Sequence, residues 1–268
     1  MNVWFITGAS RGLGRQFAAA ALARGDQVAA TARTPSSLHH FAERYGTAFL
    51  PLQLDITDHA ASVRALEDAH RHFGRLDVVV NNAGYTHFGF VEEVSESEVR
   101  AQFETDFFGT FWLTQAAVSL MRPQGSGHIV QISSTSGATA FPMTGLYSAA
   151  KWALEGMSEA LAQEVAMFGI NVTIVEPGAY ATDARGASAR HSEPLAAYDP
   201  IRQMIADSTQ DLAVGDPEDA ARALLSVVDA DEPPLRLILG SFGYDLVVGV
   251  AKQRLETWQA WEALARGV

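Results

Sequence analysis

The chain contains no cysteine, so disulfide bridges, thiolate metal ligands and a cysteine nucleophile are all excluded. Basic residues are scarce: 19 Lys and Arg stand against 31 Asp and Glu, a formal charge of -12. That balance favours solubility and works against partners held through a phosphate backbone, so nucleic acid is not expected as a partner. No apolar run reaches the ~20 residues that a membrane-spanning helix needs, and no membrane partner is expected. The opening stretch Met1-Asn2-Val3-Trp4-Phe5-Ile6 lacks the basic segment and long apolar core of a secretory signal, which makes a cytoplasmic location the expectation. His39 with His40, and His70 with His72, lack the companions a metal site requires, and no metal is expected.

What is present is 268 residues, 48% of them hydrophobic, enough to bury one large core; a single domain over 1–268 is expected. Short apolar runs bounded by turn residues predict strands at Val3–Thr7, Gln27–Thr31, Phe49–Gln53, Val78–Asn81, Ile129–Ser133, Val172–Glu176 and Leu235–Leu239. Helical periodicity lies between them, at Gly14–Arg24, His59–Phe73, Glu96–Met121 and Lys151–Phe168. Strand and helix alternation of this kind builds βαβ units, so the expected fold is α/β: a Rossmann-type, doubly wound, seven-stranded parallel sheet with helices on both faces. Asp216-Pro217-Glu218-Asp219 carries a helix start, with a capping acid, proline at the first position and negative charge in the first turn. The segment from Ala179 to Ala213 mixes Gly, Ser, Pro and charge without sustained periodicity. It reads as a substrate lid, with a disordered insertion as the alternative.

Thr7-Gly8-Ala9-Ser10-Arg11-Gly12-Leu13-Gly14 lies between the first strand and the first helix. Glycines there permit a tight turn and close backbone approach, and N–H groups at the helix start attract a pyrophosphate. A plain strand-to-helix turn is the simpler reading, but the position favours a dinucleotide site drawing on Gly8, Ser10, Arg11, Gly12, Leu13 and Gly14. At the end of the second strand stand Ala32, Arg33 and Thr34, with no acid to hydrogen-bond a ribose; Asp26 lies at the wrong end, in the turn before the strand. Arg11 and Arg33 suit bidentate contact with a 2′-phosphate unless both are merely solvated. NADP(H) is therefore favoured, with NAD(H) possible. Leu54-Asp55-Ile56-Thr57 and Asn81-Asn82-Ala83-Gly84 follow the third and fourth strands, at the sheet edge where ligands bind. Asp55, Ile56, Asn82, Ala83 and Gly84 join the candidate cofactor residues on that ground, although each stretch is also an ordinary turn.

Tyr147 and Lys151 are four apart at the start of a helical pattern, so they share a face. A free phenol has a pKa of about 10; an adjacent ammonium favours phenolate and is expected to lower it, which makes Tyr147 an acid/base. Ser134, after the fifth strand, is placed to donate a hydrogen bond to a substrate oxygen where negative charge develops. Each of these pairings alone arises often for structural reasons.

Together, Thr7 to Gly14, Asn81 to Gly84, Ser134, Tyr147 with Lys151, and Pro177-Gly178 occur in the order and spacing of the compact short-chain dehydrogenases/reductases. The resemblance spans about the first two thirds of the chain. It implies that Tyr147 protonates the substrate oxygen during reduction, that Lys151 binds the nicotinamide ribose and lowers the tyrosine pKa, and that Ser134 orients the carbonyl. It also implies that Asp55 contacts adenine, that Asn81 lies near the cofactor ribose, and that Pro177, Gly178 and Thr182 lie at the nicotinamide end. One position departs from the pattern: in Glu104-Thr105-Asp106-Phe107 an aspartate stands where the family usually has asparagine. Asp106 enters the catalytic set with the expectation of retained activity and an altered pH profile.

The function expected is carbonyl–alcohol interconversion on a small-molecule substrate. A redox-sensing NADP-binding protein with little turnover is the alternative. His87, Phe88, Phe90, Phe141, Met143, Tyr180 and Tyr198 read as pocket or core. Arg185, Arg190 and Arg202, interspersed with acids, read as a solvated mixed-charge face. The tail from Ser241 to Ala265, with Trp258 and Trp261, reads as packing on this or another subunit, and a homodimer or homotetramer is expected.

Overall fold

A computed structural model describes residues 1–183, 186–210 and 212–267. In chain order its elements are β1 (Val3–Ile6), α1 (Gly12–Ala23), β2 (Gln27–Ala32), α2 (His39–Tyr45), β3 (Phe49–Gln53), α3 (His59–Phe73), β4 (Val78–Asn81), β5 (His87–Phe88) and α4 (Glu96–Phe103). A π-helical segment (Glu104–Gly109) leads into α5 (Thr110–Gln124), followed by β6 (Gly127–Ile132), α6 (Thr135–Ala138), α7 (Gly145–Val165) and β7 (Ile170–Pro177). The remainder comprises β8 (Arg190–His191), α8 (Asp199–Thr209), α9 (Pro217–Val228), β9 (Arg236–Leu239), α10 (Ser241–Ala260) and α11 (Glu262–Arg266).

Among these residues seven strands pair in the order β3-β2-β1-β4-β6-β7-β9, every neighbour parallel. Alternation along each strand explains why helices cover both faces. Trp4, Ile6, Val28, Val80 and Val130 point to one face, where they bury Phe17 and Leu22 of α1 and Leu224 of α9. Val3, Phe5, Ala29, Val79 and Ile129 point to the other, against Leu66 of α3, Leu113 and Met121 of α5, and Leu161 of α7. The order reverses about β1, so loops after β1 and β4 diverge above the carboxyl edge and leave a crevice there, the usual ligand position in open α/β sheets. Asp26, at the opposite edge, accepts from Asn2 N and Trp4 Nε1, each at 2.8 Å, and pairs with Arg24.

Three segments differ from the sequence reading. The single helix expected over Glu96–Met121 is interrupted by the π-helical segment. The helix expected from Lys151 begins at Gly145, which brings Tyr147 into its first turn. The stretch 179–213 is not irregular throughout: α8 lies within it, with Pro200 in its first turn and Asp199 at the positive end, start signals masked by the surrounding polar residues. Arg185 lies outside the described residues. The tail turns away from its own domain beyond Arg254, which donates to the Ala138 carbonyl at 2.8 Å and lies over the Trp152 ring; Trp258 and Trp261 are exposed. No helix among the described residues is long and apolar enough to cross a membrane.

Candidate active site

A cleft of about 1610 Å³ runs along the carboxyl edge of the sheet. Its walls include Gly8, Ser10, Arg11, Gly12, Leu13, Arg33, Asp55, Ile56, Asn82, Ala83, Gly84, Ser134, Tyr147, Lys151, Pro177, Gly178 and Thr182. One continuous space thus joins the glycine loop to the tyrosine–lysine pair.

At the glycine end the backbone is shaped for close approach. Gly8 and Gly12 hold left-handed φ values of 67° and 57°, which favour glycine. A Cβ on Gly8 would lie 2.9 Å from the Ala83 Cα, so the β1 loop and the β4 loop touch only because that atom is missing. The two loops are also stitched: the Thr7 hydroxyl accepts from Asn82 N and Ala83 N at 2.9 and 3.0 Å, and the Asn82 amide donates to the Thr7 carbonyl at 2.9 Å. Arg11, at the N-cap of α1, supplies no side-chain cap, leaving first-turn N–H groups available to an anion. Arg11 and Arg33 line this end, and neither has a carboxylate partner among the described residues. The cradle fits a phosphorylated dinucleotide. Two expected cofactor residues are placed otherwise. Gly14 lies beneath the loop, where a Cβ would meet the Asn82 amide, so its role is packing. The Asn81 side chain turns into the interior and donates to Thr114 Oγ1 and Gln131 Oε1, both at 3.0 Å; strand alternation sends it away from the cleft.

At the other end, α7 carries Tyr147 and Lys151 on one face. The Lys151 ammonium is buried, donates to the Ile132 carbonyl at 3.1 Å and lies 3.4 Å from the Asp106 carboxylate. Asp106 is fully buried and accepts from Tyr85 N at 3.2 Å. It lies behind Lys151 and outside the cleft lining. Burial pushes its carboxyl above the usual range, against the pull of Lys151. Burial also opposes charge on Lys151, but Asp106 and Tyr147 outweigh it and hold the ammonium above its ordinary value. The expected lowering of the Tyr147 phenol is not met: burial pushes it up and Asp106 adds to the rise, while Lys151 and the Ser134 and Thr86 hydroxyls pull it down without prevailing. The Ser134 hydroxyl caps α6, accepting from Ser136 N at 3.1 Å, and its O–H faces the Tyr147 phenol in the cleft.

The far wall comes from residues that sequence reasoning weighed loosely or missed. Phe88, Phe141, Met143 and Tyr180 line the cleft with Tyr85 and Thr86, whereas His87 and Phe90 are buried beside it. Met143 has φ 68°, a strained backbone for a non-glycine residue. Glu93 clasps the segment that carries α8: its carboxylate accepts from Phe90 N at 2.8 Å, Leu195 N at 2.9 Å and Arg202 at 2.6 Å. Tyr198 stacks on Phe90 and donates to Glu92 at 2.6 Å. Arg202 is therefore no solvated charge. Nothing local in the sequence marks Glu93, because Leu195 and Arg202 lie about a hundred positions downstream of it.

Comparison with known proteins places this geometry in context. The family model described as short chain dehydrogenase matches residues 2–193. An oxidoreductase of Botryotinia fuckeliana, named BOA17, is 38% identical over 98% of each chain. An NADPH-dependent 3-dehydrocapnine reductase of Ornithobacterium rhinotracheale is 34% identical over 72% of this chain and 71% of that one. A solved short-chain dehydrogenase from Streptomyces avermitilis superposes with a TM-score of 0.91 at 42% identity, covering 100% of this chain and 99% of its own. Two more distant structures share the fold. A Burkholderia phymatum protein holding NAD has TM-score 0.82 and 20% identity, over 97% of this chain and 94% of that one. A Burkholderia cenocepacia protein holding NADP has TM-score 0.77 and 24% identity, over 97% and 96%. With the glycine cradle, the parallel sheet and the matched 192-residue span in agreement, the chain belongs to the short-chain dehydrogenase family of oxidoreductases.

Proposed function

We propose that this oxidoreductase interconverts a carbonyl and an alcohol with NADP(H), using Tyr147 as the acid/base. The observation that carries the reading is the continuity of one cleft from Arg11, Arg33 and the glycine cradle to Ser134, Tyr147 and Lys151. Gly8, Ser10, Arg11, Gly12 and Leu13 would hold the pyrophosphate end, Arg33 the 2′-phosphate, Asp55 and Ile56 the adenine, and Asn82 to Gly84 with Pro177, Gly178 and Thr182 the remainder. When bound, the nicotinamide supplies or accepts the hydride. Support for NADP(H) over NAD(H) comes from the two arginines without acid partners among the described residues, the lack of an acid at the end of β2, and the NADPH dependence in the name of one relative.

In reduction the Tyr147 phenol gives its proton to the substrate oxygen, and the Ser134 O–H donates to that oxygen as charge develops on it. Lys151 stands beside the phenol and favours its anionic form, while the Ile132 carbonyl and Asp106 hold the ammonium in place. Residues 186–210, clasped through Glu93, form the lid that closes the substrate end. The reading is tested with nicotinamide absorbance during incubation with a carbonyl panel. Turnover with NADPH is expected, falling roughly 10²- to 10⁴-fold in Tyr147→Phe while NADPH binding persists. NADPH binding by the parent without turnover across the panel would favour the sensor alternative. Tighter NADH than NADPH binding would overturn the arginine assignment.

A further inference from the structure

Among the described residues, four arginines line the cleft: Arg11, Arg33, Arg190 and Arg202. Arg202 is neutralised by Glu93, and Arg11 and Arg33 stand at the glycine end. Arg190 is the remaining one, at the opposite end, and among the described residues it has no carboxylate partner. Its side chain is exposed, so water solvates the guanidinium in the free protein and the charge stays open to an anionic ligand that enters the cleft.

The backbone holds this side chain in place. Strand β8 pairs with β5, and Arg190 N donates to the Thr86 carbonyl at 2.9 Å, one residue from Tyr85. The guanidinium then lies over the Tyr85 ring, 4.3 Å from its centroid, with one nitrogen 3.4 Å from the phenolic oxygen. Stacking fixes the plane of the guanidinium and leaves its outer N–H groups free, the arrangement that suits bidentate capture of a carboxylate. Phe88, Phe141 and Met143 give the same cleft apolar wall. His191, stacked on Phe88, adds no acid.

We infer that Arg190, braced on Tyr85, is a carboxylate-recognition point, and that the substrates are keto acids whose carbonyl and carboxylate are separated by an apolar body. The inference deepens the proposed oxidoreductase reading and rests on it for the carbonyl. Arg190 sets specificity and is not a catalytic residue, since its guanidinium contacts Tyr85 rather than Tyr147 or Ser134.

The test pairs equilibrium binding with kinetics on the NADPH-loaded protein. Calorimetry with 4-phenylbutanoate and its neutral amide reads the subsite without turnover; kcat/KM for 4-benzoylbutanoate and its methyl ester reads it during reduction. The acid is expected to exceed its neutral partner about tenfold in both, chiefly through Kd and KM, with the advantage shrinking as salt rises. In Arg190→Gln the ratio should fall to near one, and Arg190→Lys should restore part of it. A parent ratio within about twofold of unity, or a parallel loss of acid and neutral partner in Arg190→Gln, would overturn the subsite. If both ketones are inert while 4-phenylbutanoate binding depends on Arg190, the subsite stands and the reductase reading falls. If the ester is reduced as well as the acid, the reverse holds.

Discussion

The two ends of the cleft are built in different ways. The cofactor end is assembled by backbone: loops that leave neighbouring parallel strands, two glycines with left-handed φ, and hydrogen bonds between Thr7 and the Asn82-Ala83 turn. The substrate end is assembled by side chains that reach across the sequence, such as Glu93 to Arg202, 109 positions apart, and Tyr198 to Glu92, 106 apart. Backbone geometry is written into short motifs, whereas a clasp between distant side chains has no local signature.

The largest effect that sharpens this contrast concerns the sheet that carries both ends. His128, near the amino end of β6 and thus at the sheet edge opposite the cleft, is buried and hydrogen-bonded to Thr173 Oγ1 at 2.9 Å, and burial lowers its pKa to about 4. Its folded pKa lies below the unfolded value, so the neutral imidazole contributes stability above the unfolded pKa of about 6.5, and that contribution is lost as pH falls towards 4. The loss amounts to about 3 kcal/mol. Urea unfolding of the parent and His128→Asn across this range should show the variant with the flatter dependence; parallel curves would remove His128 from the account.

Next in size, Arg33→Ala should weaken NADPH binding by at least about tenfold and leave NADH binding little changed, as read by fluorescence titration. Equal losses for both cofactors would break the assignment of Arg33 to the 2′-phosphate. A smaller effect is expected at the substrate end. Glu93→Gln removes the charge that ties Arg202 and Leu195 to the loop before α4, and should raise KM for the substrate about fivefold with the Kd for NADPH unchanged. A change in cofactor affinity would show that the two ends are not independent. Smallest is Asp106→Asn. Asp106 raises the pKa values of both Tyr147 and Lys151, so both limbs of the pH–rate profile should move to lower pH in the variant. Superimposable profiles would leave Asp106 a packing residue.

The same contrast governs what the chain's residues disclose before folding. The run Val78–Asn81 becomes a strand buried along its length, as a central strand of a parallel sheet must be, while Phe49–Gln53 becomes the partly buried edge strand. Tyr147, Lys151 and Ser134 line one cleft with the glycine loop because each follows a strand at its carboxyl end or opens the next helix. Asn81 and Gly14 were assigned to the cofactor from their place in a motif, yet the side to which a residue points depends on strand alternation and loop contact. The Tyr147 phenol shows the limit most sharply. Its neighbour four positions away is visible in the sequence, but the burial that outweighs that neighbour is a property of the assembled core. Glu93, Arg202 and Tyr85 gain meaning only from partners brought by the fold.

The π-helical turn at Glu104–Gly109 acts as a phase slip in a screw thread. It inserts one residue beyond the α-helical count, and each residue advances a helix by about 100°, so the apolar face of α4 and that of α5 are cut to different threads. Asp106 occupies the slip and turns inward to Lys151, while Phe108 stays at the surface. Removing a single residue here would restore a regular helix and rotate either α4 or α5 by a quarter turn or more, so this short stretch tolerates substitution far better than deletion.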